Sequence, residues 1–219
     1  MNKHVRHAWA ATILWSALST CAAHATTVTV ANNSFETPGS CNACYAPSGA
    51  NWIFSTNAGI LANGNLDVAS PDGLQTGWMQ YQVSQSAPEI SETLTGFTIG
   101  DSYDVNFDYA MRSTGAQTEP FIVSLGANIL GSYTPSTTSW NNTTTSSFVA
   151  TATSYTLSFT GATPILVNQT EADSNIDLVT VNDLGVLTGV PEPGSLVLLA
   201  SALLFLGARL AGSRRSRGC

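Results

Sequence analysis

A β-sandwich or barrel is the fold class predicted for the central region of this 219-residue chain. Three observations predict it: short runs alternate apolar and polar residues, turn signals separate them, and no window between the two ends holds a long 3.6-residue period. In chain order, Thr27–Ala31 (TVTVA) is β-branched and short, and Trp78–Val83 (WMQYQV) alternates imperfectly. Tyr103–Tyr109 is the cleanest case: Tyr103, Val105, Phe107 and Tyr109 point one way, and Asp104, Asn106 and Asp108 the other. Phe121–Leu125 and Tyr155–Phe159 repeat the pattern, Phe148–Ala150 is a shorter piece, and Ile176–Val181 closes the region. Pro71-Asp72-Gly73, Ile99-Gly100-Asp101 and Gly161 supply the turns.

The two ends read as targeting segments. Met1–His7 carries Lys3 and Arg6, Ala8–Leu18 is apolar, and Ala23-His24-Ala25 offers the small-x-small pattern of a signal-peptidase site. Cleavage is therefore predicted after Ala25. A lipoprotein reading would use Cys21, but Thr20 before it is a poor match. At the other end, Val190-Pro191-Glu192-Pro193 precedes an apolar run, Gly194–Ala208, and Arg209, Arg214, Arg215 and Arg217 close the chain. A spanning helix needs about 20 apolar residues. This run is shorter, but Arg209 can snorkel and Leu210–Gly212 extend it. The two prolines keep the box extended, and the arginines belong on the cytoplasmic side. This order of box, span and basic cluster resembles the PEP-CTERM sorting tail of Gram-negative bacteria. The resemblance implies processing by an exosortase-like membrane protease and delivery to the cell surface or matrix. The chain divides accordingly into a signal peptide (1–25), a β-sandwich (26–182), a polar spacer (183–189) and the sorting tail with its transmembrane helix (190–219).

Charge separates sharply between these parts. Of fourteen acidic residues only Glu192 lies outside the body Thr26–Gly189, and of seven basic residues only Arg112 lies inside it. Thirteen acids against one base repel nucleic acid and suit cations or neutral ligands. His4, His7 and His24 all fall in the signal, and the body has no lysine. That excludes Ser-His and Cys-His nucleophiles, Schiff-base chemistry and histidine-ligated zinc. No Gly-rich phosphate loop is present. Only carboxylates remain for acid–base work, and they are scattered with no pair of glycosidase type. A non-enzymatic protein is expected.

Within the body, Asn33-Ser34-Phe35-Glu36, Trp52-Ile53-Phe54, Pro71-Asp72-Gly73-Leu74-Gln75, Leu94, Gly100-Asp101-Ser102-Tyr103-Asp104-Val105 and Ile176-Asp177 follow one another. This order resembles the galactose-binding-like jelly rolls of carbohydrate-binding modules. The resemblance narrows the expected fold to a jelly-roll sandwich and the expected partner to an extracellular polysaccharide. It also implies that Glu36 and Asp177 meet across the first and last strands to hold a structural Ca²⁺, for which oxygen ligands are suited. The plainer reading makes Glu36 a solvated turn residue and Asp177 a strand-end acceptor. Leu178 and Val179 depart from the pattern, which often has a polar residue after the aspartate. Glu171, Asp173 and Asn175 offer a competing oxygen set at i, i+2 spacing, or an ordinary solvated loop.

Cys41-Asn42-Ala43-Cys44 reads as a local disulfide in an oxidising compartment. A redox pair would need a helix N-terminus, which Tyr45-Ala46-Pro47-Ser48-Gly49 does not supply. Free thiols are the other alternative. Among the body's tryptophans, Trp52 and Trp78 read as core. Trp140, in Thr137-Thr138-Ser139-Trp140-Asn141-Asn142, is the candidate for stacking on a sugar ring or for a lid over the sandwich edge. Either a polysaccharide-binding or a purely structural matrix protein fits this reading. Replacing Glu192 by Ala is predicted to leave the full-length chain in the membrane fraction while the unaltered protein reaches the surface or medium. Identical fractionation of the two, both retaining Cys219, would reduce the tail to an anchor.

Overall fold

A computed structural model describes residues 27–39, 41–63, 69–83, 85–112, 117–162 and 171–186, together with Ser201. The signal peptide and the sorting tail, with Val190–Pro193 and the four arginines, lie outside the described residues. Among the described residues no helix is long and apolar enough to cross a membrane.

Among the described residues thirteen strands form two largely antiparallel sheets facing each other. The larger sheet contains β1 (Ala43–Tyr45), β3 (Ala58–Ala62), β4 (Gln75–Gln82), β13 (Glu171–Val186), β6 (Asp101–Ala110) and β10 (Asn141–Thr144), in that order. Two short strands, β7 (Gln117–Thr118) and β11 (Phe148–Val149), pair with β13 and β6, the former in the one parallel pairing among the described strands. The smaller sheet runs β2 (Ile53–Phe54), β5 (Glu89–Thr95), β12 (Ser154–Gly161), β8 (Phe121–Leu125) and β9 (Asn128–Tyr133). The pairs nest. β4 lies against β13, β5 against β12, β6 against β10, and β8 against β9. Nested antiparallel pairs that alternate between two sheets are a jelly roll.

Side-chain alternation puts one face of each sheet inside. Tyr103, Val105 and Phe107 of β6 meet Phe121, Val123 and Leu125 of β8 and Leu157 and Phe159 of β12, all fully buried. Phe107 is the hub, with ring centroids 5.1 Å from Tyr133, 5.2 Å from Phe159 and 6.0 Å from Phe121. Gly77 on β4 is required by close approach, since a Cβ there would come within 2.6 Å of the Phe35 ring. Trp52 joins this core, stacked on Phe35 at 5.1 Å. Cys41 and Cys44 are disulfide-bonded, and Cys44 sits on β1 opposite Ile60 of β3. The bond therefore pins the edge strand locally, a small entropic effect for so short a loop.

Four expectations are corrected. Thr27–Ala31 forms no strand. Its Val28 is buried in the core, and the segment packs beside Val179–Val181, closed by a turn at 31–34. Gly161 ends β12 rather than making a turn, because it pairs with Phe121. Residues 183–186 belong to no flexible spacer, since Asp183, Gly185 and Val186 pair with Tyr103, Ser102 and Asp101 of β6. Glu171–Asn175 is no solvated loop but the start of β13, inserted between β4 and β6.

Candidate functional site: the outer face of the large sheet and its rim

β13 sends Glu171, Asp173, Asn175 and Asp177 to the outer face of the large sheet. Asp173 pairs with Gln80, Asn175 with Trp78 and Ala110, and Asp177 with Asp108. The i, i+2 spacing does align these oxygens, but Arg112 takes two of the four groups. Its Nη2 lies 2.7 Å from Glu171 Oε1 and its Nη1 3.1 Å from Asp173 Oδ1. The Trp78 indole N–H donates to Asp173 Oδ1 at 2.9 Å, and Gln80 Nε2 donates to Glu171 Oε2 at 3.1 Å. Trp78 is thus buried, but on the outer face and outside the inter-sheet core, with Tyr45 against it at 4.7 Å. The body's single base is consumed by holding two carboxylates of the central strand.

Burial dominates the acids here. It pushes the Asp173 carboxyl up to about 6 despite the Arg112 guanidinium. Glu119, between β7 and β8, has no exposed surface and no hydrogen-bond partner on either carboxyl oxygen. Burial, with the Asp173 charge beside it, raises it to about 8, so it is protonated at neutral pH. A protonated acid next to an ionised one resembles a hydrolytic pair. Both groups have 0% exposure, however, so a substrate cannot reach them.

Asp177 occupies a bulge. Leu178 has φ of 51°, a left-handed conformation strained for a leucine, and the register with β6 shifts between Asp177 and Thr180. This is where the departure from the jelly-roll pattern falls. Asp177 Oδ1 accepts from Leu178 N–H at 2.8 Å, while its buried Oδ2 has no hydrogen-bond partner. Burial raises Asp177 to about 8, the N–H groups of Leu178 and Asp72 opposing and the charges of Asp72 and Glu36 reinforcing. Glu36 Oε1 accepts from Leu74 and Gln75 N–H at 2.8 and 2.9 Å. The fold therefore brings Glu36 and Asp177 into one electrostatic neighbourhood. Two carboxylates, one with an orphaned buried oxygen, are donors of the type a hard divalent cation uses. Among the described residues no three His, Cys, Asp or Glu side chains cluster as a metal set.

Trp140 stands immediately before β10. It lines an open cleft of about 340 Å³ with Tyr109, Pro135, Ser136, Thr137, Ser139 and Asn141. Its indole N–H donates to the Ala69 carbonyl at 2.7 Å, which fixes the ring plane. Asn141 Nδ2 donates to Tyr109 Oη at 2.7 Å, and the Tyr109 ring packs on Phe107, Phe121 and Tyr133. Two oriented aromatic rings, hydroxyls and amides line this cleft, and no carboxylate does. Such a surface can stack on a sugar ring and bond its hydroxyls.

Trp140, expected from the sequence as a stacking residue, lines this cleft together with Tyr109, which the sequence had not singled out. Tyr109 is the last inward residue of the alternating run, so its position at a sandwich end was the available signal. Arg112 was visible only as the lone base. Its pairing with Glu171 and Asp173 spans some sixty residues of sequence and left no local trace.

No family model matches the chain, and no curated protein matches it in sequence. Solved structures resemble it in shape. A CBM61 module solved with β-1,4-galactotriose is 15% identical, covering 70% of this chain and 97% of its own, with a TM-score of 0.43. The CBM22-1 xylan-binding domain of Xyn10C from Paenibacillus barcinonensis is 12% identical, covering 74% and 98%, with a TM-score of 0.47. The C-terminal CBM6 of LamC from Zobellia galactanivorans is 12% identical, covering 63% and 95%, with a TM-score of 0.42. At these values the likeness concerns shape alone.

Four buried carboxyls give the domain a pH signature. Glu92, buried with Ala31 N–H on one oxygen, is raised to about 7, joining Asp173 at about 6 and Glu119 and Asp177 at about 8. A carboxyl raised on folding contributes stability that is complete below its unfolded value near 4 and is lost as pH climbs through its folded value. The melting temperature in metal-free buffer is therefore predicted to fall steadily from about pH 5 to about pH 9. Asp177→Asn should flatten the alkaline part of that fall. A melting temperature that rises across this range would contradict the assignment.

Proposed function

We propose that this protein is an exported, non-catalytic carbohydrate-binding protein of the cell surface or extracellular matrix. In this reading the N-terminal signal is removed after Ala25. The tail then holds the chain at the inner membrane until an exosortase-like protease acts at Val190–Pro193, and the jelly roll engages an extracellular polysaccharide. The observation that supports binding most directly is the Trp140–Tyr109 cleft, with two held aromatic rings among hydroxyl and amide groups. A ring held in place before the ligand arrives avoids the ordering cost of binding. A purely structural matrix component is the alternative outcome of the test.

A structural Ca²⁺ belongs to the same proposal. Glu36 and Asp177 would hold it, satisfying the orphaned Asp177 oxygen and bracing the bulge of β13 against the 72–75 segment. When bound, the ion would favour ionised Asp177 and offset the cost of burying that charge.

A glycan array probed with the exported protein should give a restricted set of hits, and Trp140→Ala should weaken them by about tenfold or more, or ~1.4 kcal/mol. An array without hits, from a folded protein, would favour the structural alternative. Calcium should raise the melting temperature of the unaltered protein and chelator lower it, since a ligand of the native state stabilises by mass action. Glu36→Ala should remove the difference, and an unaltered protein indifferent to calcium would discard the metal.

A further inference from the structure

The charge around the cleft narrows the class of glycan, given the binding reading above. The lining side chains Ser136, Thr137, Ser139, Asn141, Tyr109 and Trp140 are all uncharged, so contact alone does not select by charge. The field around them does. Asp72 is exposed three residues along the loop from the Ala69 carbonyl that holds Trp140. Asp108 lies on β6 next to Tyr109 and accepts from Asn142 of β10, the residue after Asn141. Asp104 and Asp183 lie towards the far end of β6, roughly 17–20 Å from Tyr109 at about 3.3 Å per residue, and Glu171 is paired with Arg112, so Asp72 and Asp108 are the acids that bear on the cleft. The one base of the body, Arg112, is 5% exposed, and both its Nη atoms are committed to Glu171 and Asp173. No cationic side chain of the body is therefore available to a carboxylated or sulfated sugar.

We propose that the Trp140–Tyr109 cleft takes a glycan carrying free amino groups, an amino-sugar polymer in its cationic form. Two effects favour it over the same polymer acylated to neutrality. A surface of one sign raises the local concentration of an oppositely charged ligand, at ranges limited by salt to about 8 Å under physiological conditions. An ammonium group near the indole face of Trp140 adds a cation–π attraction that a neutral acetamido group lacks. Uronic acid polymers are repelled by the same field.

The test is titration calorimetry on the full chain in a neutral detergent, at mildly acidic pH. The probes are glucosamine oligosaccharides, their N-acetylated counterparts and oligogalacturonates of equal length, each at low and at high salt. The amino form should bind about tenfold more tightly than the acetylated form at low salt, and the ratio should shrink towards unity at high salt. Trp140→Ala should weaken both, and the oligogalacturonate should give no heat of binding. Equal or tighter binding of the acetylated form at low salt would overturn the charge preference while leaving the carbohydrate reading intact. Amino-sugar binding indifferent to Trp140→Ala would also overturn it, because the polymer would then be held by the acidic surface and not by the cleft. Absence of binding by every probe would count against both.

Discussion

The structure depends on placing an acidic strand at the centre of its larger sheet. β13 is sixteen residues long, pairs with β4 on one side and β6 on the other, and carries Glu171, Asp173 and Asp177 on one face. Burying such a strand is costly unless its charges are paired or removed. The chain uses both means. Arg112 bridges Glu171 and Asp173, and the indole of Trp78 adds a hydrogen bond. Asp177 and nearby Glu119 are raised to about 8 and enter the neutral pH range protonated. With one base in the body, there is no second cation to take over if Arg112 is lost.

That clamp also reaches the cleft. Arg112 leaves β6 two residues beyond Ala110, and Tyr109 is the residue before Ala110. Between them, Met111 N–H donates to the Thr137 carbonyl at 2.9 Å, tying the exit of β6 to the segment that supplies Ser136, Thr137, Ser139 and Trp140. Fixing Arg112 on β13 therefore fixes the end of β6 and the loop docked on it. Core packing does the rest, since Tyr109 is held by three aromatic neighbours. Binding surface and core share one set of supports.

Much of this was legible in the sequence, for a physical reason in each case. β6 and β8 alternate cleanly because both are half-buried with one face on the core. β13 was only half legible, since its first residues, Glu171–Asn175, read as polar loop. Polar side chains on a buried outer face imitate a loop when the partners that satisfy them are distant in sequence. β3, β5, β9 and β10, and the short β1, β2 and β7, were not read as strands. Asn141–Thr144 is polar throughout and becomes a strand because β6 offers it an edge. Thr27–Ala31 failed in the opposite direction: its β-branched alternation is real, but Val28 is drawn into the core and no ladder forms. At the site, Trp140 was singled out by its polar surroundings and lines the cleft, and Glu36 and Asp177, singled out by the order of motifs, lie near enough that, beside burial, the Glu36 charge raises the Asp177 carboxyl.

Nuclear magnetic resonance separates the possible binding surfaces directly, because each body tryptophan donates its indole N–H to a different acceptor. Trp52 bonds the Asn32 carbonyl, Trp78 bonds Asp173, and Trp140 bonds the Ala69 carbonyl. Titrating the labelled protein with a glycan it binds should shift the Trp140 indole signal and the Asn141 side-chain amide, and leave Trp52 and Trp78 in place. Shifts confined to the Trp78 indole, with Trp140 unmoved, would place the ligand over Tyr45 on the outer face and contradict the cleft as the site of binding.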